Sequence, residues 1–373
     1  MLKDAVAVID LGSYSLTAII GENGVNNNYI IRALFKQQHE AFDGRIIDEK
    51  RLYNAISDSL RTVTHSVKAK IDTVYVGIPG EFLRVDNVEQ RTFFNRKKRI
   101  REKDLKEFYE GATARYMPMG GEEVISKSGV CFYLDGNRRV DNPLGAVSTS
   151  LSGFVTIFTA DGGLLTVLRK IFLSLGVKTV NFIPVPLAEG KLLFSDEERR
   201  SAQVLLDVGY LSTNLTVLSG DGALFHDSFQ IGGGHVTAYL YDKLQIDFEV
   251  AERLKRKINL SIAANAGAYV VIYGEKQYTF NVSDVNEIAR FVIDDIGEKF
   301  DRAILTSRVR LAHDTVVSLT GGGISYVRGC PEYFSGLIEM PVNVVAPKLA
   351  YMSKPDDSSA LAVLNYALNE KLY

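Results

Sequence analysis

Two Asp-x-Gly turns stand where strands of small apolar residues end. The first is Asp10-Leu11-Gly12-Ser13, after "AVAVI", and the second is Asp207-Val208-Gly209-Tyr210, after "VLL". A carboxylate inside an apolar run is costly unless a partner or an ion faces it. A glycine two residues later lets the chain turn where a side chain would crowd it. Hydroxyls follow at Ser13 and Ser15, and Ser212 matches Ser15 in offset. A strand, a tight polar turn and a second strand form a hairpin whose tip can cradle an anion on its amides. For either hairpin alone, a buried strand that simply turns explains the pattern as well. The recurrence at residues 204 to 222 favours two similar halves, each opening an α/β unit. Two such hairpins facing one cleft would surround a polyphosphate and its magnesium, with Asp10 and Asp207 holding the metal through its waters.

Further candidates lie downstream. "LTGGG", residues 319–323, puts Gly321, Gly322 and Gly323 directly after an apolar strand. Three glycines exceed what a turn needs and suit a backbone that closely approaches a flat group or a phosphate. The dinucleotide spacing G-x-G-x-x-G is absent, and no G-K-[ST] follows. "IGGGH", residues 231–235, is read as a structural hairpin-to-helix turn rather than an anion site. Glu252 and Lys255 lie three apart on one helical face, where they could grip ribose hydroxyls. Such a pair is ordinarily surface decoration.

The elements that must position these groups follow from composition and periodicity. The chain has 373 residues, 46% hydrophobic, with 43 Lys plus Arg against 45 Asp plus Glu. Its length predicts two or more domains, and its charge balance argues against a bulk electrostatic nucleic-acid binder. Two distant cysteines, Cys131 and Cys330, specify neither a disulfide scaffold nor a sulfur-rich metal site. No secretory signal precedes the first strand, and no apolar run reaches bilayer length, so a soluble cytoplasmic protein is predicted.

Asp48 is positioned to cap a helix with the stripe Leu52, Ile56, Leu60 and Val63. "IDTVYVGIP" is a strand ended by Pro79-Gly80. From about 81 to 160 the texture turns polar and strand-rich, which predicts an inserted small domain. Within it, "NRKKRIREKDLKEF" is read as a charged hairpin tip followed by a solvated helix. Asp161 is expected to cap a helix that stops at Gly176. "SDEERR" is read as the link between the halves. Helices are also predicted over 247–257, about 284–303 and 359–372.

Taken in order along nearly the whole chain, these stretches resemble the FtsA family of bacterial cell-division proteins, within the actin, sugar-kinase and Hsp70 superfamily. "VIDLGSYSLTAIIGE" is similar to the first phosphate motif and "LLDVGYLSTNLTVLSGDGALFHDSFQIGGGHVT" to the second. "DGRIIDEKRLYNAI", "IDTVYVGIPGEFLR" and "NFIPVPLAEGKLLFSDEER" resemble the stretches between them. "RVDNPLG" resembles the marker of the inserted subdomain, and "AERLK" and "LTGGGISYVRG" the nucleoside motifs.

The resemblance implies an actin-like, ribonuclease H-like duplicated α/β fold, with two halves around a nucleotide cleft and a small inserted α/β subdomain. The implied division is 1–80 and 161–200 as first-half core, 81–160 as the insertion, and 201–244 and 304–358 as second-half core. Residues 245–303 would be an accessory subdomain and 359–373 a terminal helix on the first half. ATP and magnesium are the implied ligands. Asp10, Gly12 and Ser13, beside Ser15, would meet phosphates and metal. Asp207, Gly209 and Ser212 would form the opposing loop, with Asp207 orienting water in any hydrolysis. Glu252 and Lys255 would contact ribose, and Gly321, Gly322 and Gly323 would pack on the nucleoside.

Implied partners are the C-terminal tail of the tubulin-like division protein, further copies of the chain in filaments, and later division proteins. The implied place of work is the cytoplasmic face of the inner membrane at the division site. Attachment is expected through a tail outside this chain or through a partner. The sequence also departs from the family. Ser15 stands where a basic residue is usual, Tyr210 and Leu211 replace two glycines, and Tyr239 replaces an aspartate. Fewer close amide and charge-assisted contacts imply weak or absent ATP hydrolysis. A pilus-assembly-type adaptor that binds a membrane-protein peptide, or a non-hydrolysing scaffold, are the alternatives.

Overall fold

The computed structural model describes residues 5–24, 29–39, 41, 45–68, 70–263, 265 and 267–369. Asp43 and Gly44, at the start of the "DGRIIDEK" stretch, and the end of the predicted terminal helix from Glu370 on lie outside them. By contact density the chain forms two compact units, one of residues 1–203, 216–226 and 359–373, the other of 204–215 and 227–358.

In chain order the first unit contains β1 (Val6–Leu11), β2 (Ser15–Asn23), β3 (Tyr29–Gln38), α1 (Glu49–Val67) and β4 (Thr73–Ile78). There follow β5 (Leu83–Arg99), α2 (Glu102–Ala114), β6 (Glu122–Leu134), β7 (Arg138–Val140) and β8 (Val147–Asp161). It continues with α3 (Gly162–Ser174), β9 (Thr179–Pro184) and α4 (Val185–Leu193). Five strands make a sheet in the order β3-β2-β1-β4-β9. β1 at its centre is antiparallel to β2 and parallel to β4.

Strand side chains alternate between faces. Ala7, Ile9 and Leu11 therefore enter the core with the α1 stripe Leu52, Ile56, Leu60 and Val63 and with Leu164, Leu168 and Phe172 of α3. Asp10 falls on the opposite face. Asp48 caps α1 by accepting from the backbone N–H groups of Lys50 and Arg51. Asp161 caps α3 through the N–H of Leu164.

Between β4 and α3 a second sheet runs in the order β5-β8-β6-β7. Leu105, Phe108 and Ala112 of α2 pack on Leu134, Leu151, Val155 and Ile157 of its strands. The predicted charged hairpin tip is corrected here. "NRKKR" is the end of β5 itself, with the register against β8 shifting between Phe93 and Lys98. Lys98 turns back to an ion pair with Asp104, whose carboxylate also accepts from the N–H of Arg101. The helix that follows is solvated on one side and buried on the other. The "SDEERR" link is exposed at residues 195–198 and 200 and anchored at one position. Arg199 within it is 4% exposed, donates to the carbonyl of Gly220 at 2.9 Å and pairs with Asp196 and Asp221.

The chain continues through β10 (Gln203–Val208), β11 (Thr213–Ser219), β12 (Gly222–Phe229), α5 (Gly233–Leu244) and α6 (Phe248–Lys255). Next come β13 (Ala268–Tyr273), β14 (Lys276–Asn281), α7 (Val282–Ser307) and β15 (Val317–Thr320). α8 (Cys330–Ile338), β16 (Val342–Val344) and α9 (Ser358–Asn369) complete it. A five-stranded sheet takes the order β12-β11-β10-β15-β16. Position for position this repeats the first sheet: a strand, its hairpin partner and the next strand to one side, two parallel strands to the other. Among the described residues no helix is long and apolar enough to cross a membrane.

Candidate functional site

In the first unit the site is built around Asp10, which pairs with Thr17 on β2 and Gly77 on β4 and is 5% exposed. Gly77 makes room for it. A Cβ at that position would sit 3.3 Å from Asp10 Oδ1 and within 2.9 Å of methyls of Val185 and Val363. Ser359, at the start of α9, donates from Oγ to Asp10 Oδ2 at 2.7 Å. Burial pushes the carboxyl up to about 6, against the opposing pull of the Ser359 hydrogen bond and the Lys36 charge.

The turn beyond Asp10 closes when the N–H of Gly12 donates to the carbonyl of Ser15 at 3.0 Å. A Cβ on Gly12 would lie 2.8 Å from that carbonyl oxygen, so space rather than backbone angle dictates the glycine. The carbonyl of Gly12 accepts from His39 Nε2 at 2.8 Å. Ser13 lies in the turn and Ser15 opens β2.

The second unit repeats this turn. The N–H of Gly209 donates to the carbonyl of Ser212 at 2.8 Å, and a Cβ on Gly209 would lie 3.0 Å from the same oxygen. Asp207 pairs with Thr320 on β15, as Asp10 does with Gly77 on β4. The matched spacing of Asp10, Gly12 and Ser15 with Asp207, Gly209 and Ser212 thus corresponds to one recurring backbone turn.

Around this second turn the two glycine triplets pack on it. The N–H of Gly323 donates to the carbonyl of Val208 at 2.7 Å, and those of Gly233 and Gly234 to the carbonyls of Gly209 and Tyr210 at 2.9 and 2.7 Å. Side chains do not fit at these positions. A Cβ on Gly232 would lie 2.5 Å from the Gly209 carbonyl oxygen, and one on Gly323 would overlap that oxygen outright. Gly321 has φ +85°, and a Cβ there would collide with Asp207 Oδ1. Gly322 faces Asp356, 3.0 Å from where its Cβ would be. The glycines after β15 are therefore required by contact with the chain's own backbone, so their number is not in itself a ligand signal. "IGGGH" is a hairpin-to-helix turn, as its sequence suggested.

Glu252 and Lys255 are not a surface pair. They are 9% and 7% exposed. Lys255 Nζ donates to Glu252 Oε2 at 2.8 Å and to the carbonyl of Gly233 at 3.2 Å. Thr237 Oγ1 donates to Glu252 Oε2 at 2.6 Å. Burial lowers the ammonium pKa of Lys255 below its usual range, opposed by Glu252. The ammonium lies 5.1 Å from the ring centroid of Tyr210. Tyr239 packs edge-on against Phe291 of α7 with centroids 5.2 Å apart.

The structure thus brings Asp207, Gly209, Ser212, Gly321, Gly323, Glu252 and Lys255 into the second unit around one turn, and Asp10, Gly12, Ser13 and Ser15 around the other. Among the described residues no group of three or more His, Cys, Asp or Glu side chains is placed to hold a metal. Sequence reasoning missed Ser359, Thr237 and the contact of Tyr210 with Lys255. None of them has a local pattern, because each partner is distant in sequence. The nearest signal was the bulky Tyr210 where a glycine is usual.

A family model described as cell division protein FtsA matches residues 204–362. The chain is 22% identical over 374 residues to the cell division protein FtsA of Enterococcus hirae, covering 97% of this chain and 82% of that protein. It is 23% identical to that of Streptococcus pneumoniae, covering 96% and 79%. Among solved structures it resembles a PilM-PilN type IV pilus biogenesis complex, with TM-score 0.66 at 16% identity over 96% of this chain and 97% of that one. It also resembles MreB5 of Spiroplasma citri bound to ADP, with TM-score 0.57 at 13% identity over 98% and 96%. The structural likenesses establish an actin-like fold. With that fold, the family model matched over residues 204–362 and relatives of one name at 22–23% identity, the chain resembles the FtsA family along nearly its full length.

Proposed function

We propose that this protein is an FtsA-type actin-like scaffold whose two sheets are duplicated ribonuclease H-like halves, and that its two Asp-x-Gly turns together hold one adenine nucleotide with magnesium. The observation that carries this reading is the recurrence of a single turn, Gly12 to Ser15 and Gly209 to Ser212, each after an aspartate on the central strand of a sheet of the same order. Asp10, Gly12, Ser13 and Ser15 serve the phosphates and metal from one side, Asp207, Gly209 and Ser212 from the other. Glu252 and Lys255 face the ribose, and Gly321, Gly322 and Gly323 the nucleoside.

The donor set fits on the first side. A buried carboxylate whose pKa is raised by desolvation gains from a nearby cation. Magnesium, when bound, would neutralise phosphate charge. Asp207 would orient water for hydrolysis. The second side fits less well. The N–H groups of Gly233 and Gly234 are engaged by the chain's own carbonyls. Tyr239 makes an aromatic contact with Phe291 where the resemblance to the family implies an aspartate. Weak or absent hydrolysis follows.

In this reading residues 81–160 form the inserted subdomain and make contacts with further copies of the chain. The 201–358 half binds the tail of the tubulin-like division protein. Attachment to the membrane is peripheral, and later division proteins are recruited in turn. Fluorescence anisotropy with the labelled tail peptide of the division protein, against the purified chain, tests the adaptor role. Saturable binding supports it. Binding instead to a peptide from a membrane-embedded pilus protein would move the assignment to a pilus-type adaptor. Sedimentation of the chain with and without ATP and magnesium tests self-assembly.

A further inference from the structure

Tyr210 makes two contacts that share one electrostatic character. Its carbonyl oxygen accepts the N–H of Gly234, in the first turn of α5, at 2.7 Å. The ring of the same residue presents its face to the Lys255 ammonium 5.1 Å from the centroid. An aromatic face carries partial negative charge, and the N-terminal amides of a helix carry partial positive charge. One residue therefore supplies electron density to a buried cation and to a helix N-terminus together. An anionic group arriving there would compete with the ring for the Lys255 ammonium.

The surroundings are shaped to the ring. A Cβ on Gly234 would lie 2.7 to 2.9 Å from three atoms of the Tyr210 ring, so Gly234 is the residue that lets the ring lie against α5. Lys255 is otherwise held by Glu252 and the Gly233 carbonyl, which keep its ammonium directed at this spot. Tyr210 stands in a turn rather than in a helix or strand.

We propose that Tyr210 is a displaceable internal occupant of the Lys255 pocket, and that a nucleoside di- or triphosphate reaches Lys255 only by moving the ring away. This rests on the nucleotide reading given above, and it assigns the weakness of binding to one side chain. Removing the ring opens Lys255 to the anion, while the Gly234 N–H stays with the backbone carbonyl of residue 210. Tyr210→Phe keeps the aromatic face and so keeps the closure.

The test uses the full chain as wild type, Tyr210→Phe, Tyr210→Gly and Tyr210→Ala, each checked for native melting behaviour. Calorimetric titration with ATP and magnesium is read beside the acetylation rate of Lys255, followed by peptide mass spectrometry. Tyr210→Gly and Tyr210→Ala are expected to bind nucleotide about tenfold more tightly than wild type. Lys255 should acetylate several-fold faster in both, and Tyr210→Phe should match wild type in both measurements. Folded Gly and Ala variants that bind no more tightly than a nucleotide-binding wild type would overturn the proposal and leave the nucleotide reading standing. Faster Lys255 acetylation with no nucleotide binding by any form would show that the ring covers Lys255 but overturn nucleotide as what it excludes.

Discussion

Ser359 Oγ donates a 2.7 Å hydrogen bond to Asp10 Oδ2 across 349 positions of sequence. It places a hydroxyl of the last helix on the carboxylate of the first strand, on the face of the sheet opposite the α1 and α3 core. The bond is short of what an ionised, buried carboxylate needs. Desolvation wins, and the Asp10 pKa stands at about 6.

A pH dependence follows. The folded chain keeps the Asp10 proton up to about 6. The unfolded chain releases it near an ordinary carboxyl value, about 4. Between those values the folded state binds more protons, so this group's contribution to stability falls as pH rises and is fully lost above the window. Asp10→Asn has no such titration. Urea denaturation should show the variant gaining up to about 3 kcal/mol on wild type between about pH 4 and about pH 7.5. A constant gap across that range would refute the assignment.

Ser359→Ala removes the hydroxyl and leaves the carboxylate buried. It should cost about 1–2 kcal/mol near neutral pH, where Asp10 is ionised, and less in acid, where it is protonated. Thermal melts at the two pH values read the difference directly.

Glycine substitutions separate backbone need from tolerance. Gly321→Ala forces a Cβ onto Asp207 Oδ1 at a left-handed backbone position, and should lose more than about 2 kcal/mol. Gly336 lies within α8, where a Cβ would meet nothing within 4 Å. Gly336→Ala should instead stabilise by up to about 1 kcal/mol. Denaturation midpoints of the two variants, compared with wild type, check both signs.

Glu252 and Lys255 test the buried network. Lys255→Met leaves Glu252 buried beside Thr237 with only the more exposed Arg256 guanidinium, 3.4 Å away, to neutralise it, and should cost about 2–3 kcal/mol. The double variant Lys255→Met with Glu252→Gln should recover part of that loss, since no uncompensated charge remains. A double-mutant cycle with additive effects would show the pair to be uncoupled.

The strands and capped helices were legible because their signals are local. The β-branched runs, Asp48 and Asp161 before apolar stripes, and Gly176 at a helix end each act within a turn or two of the chain. The Asp-x-Gly recurrence was legible as well, and it corresponds to one repeated hydrogen-bonded turn. What escaped was decided by partners far off in sequence. "NRKKR" is charged enough to sit at a tip, yet pairing with β8 and the Lys98–Asp104 ion pair keep it in a strand. Arg199 looks like linker charge, but the Gly220 carbonyl and Asp221 draw it inside. The Gly321–Gly323 triplet reads as an invitation to a ligand, whereas the Val208 and Gly209 carbonyls fill the space beside Gly321 and Gly323. Glu252 and Lys255 have the spacing of an exposed pair and are buried under Tyr210 and α5.

The most direct measurement is a calorimetric titration of the full chain with ATP, with and without magnesium, alongside Asp10→Ala. The account predicts weak saturable binding by the wild type that tightens with magnesium, and an Asp10→Ala variant whose binding no longer responds to the metal. No heat of binding by the wild type at millimolar ATP, or a magnesium effect undiminished in Asp10→Ala, would contradict it.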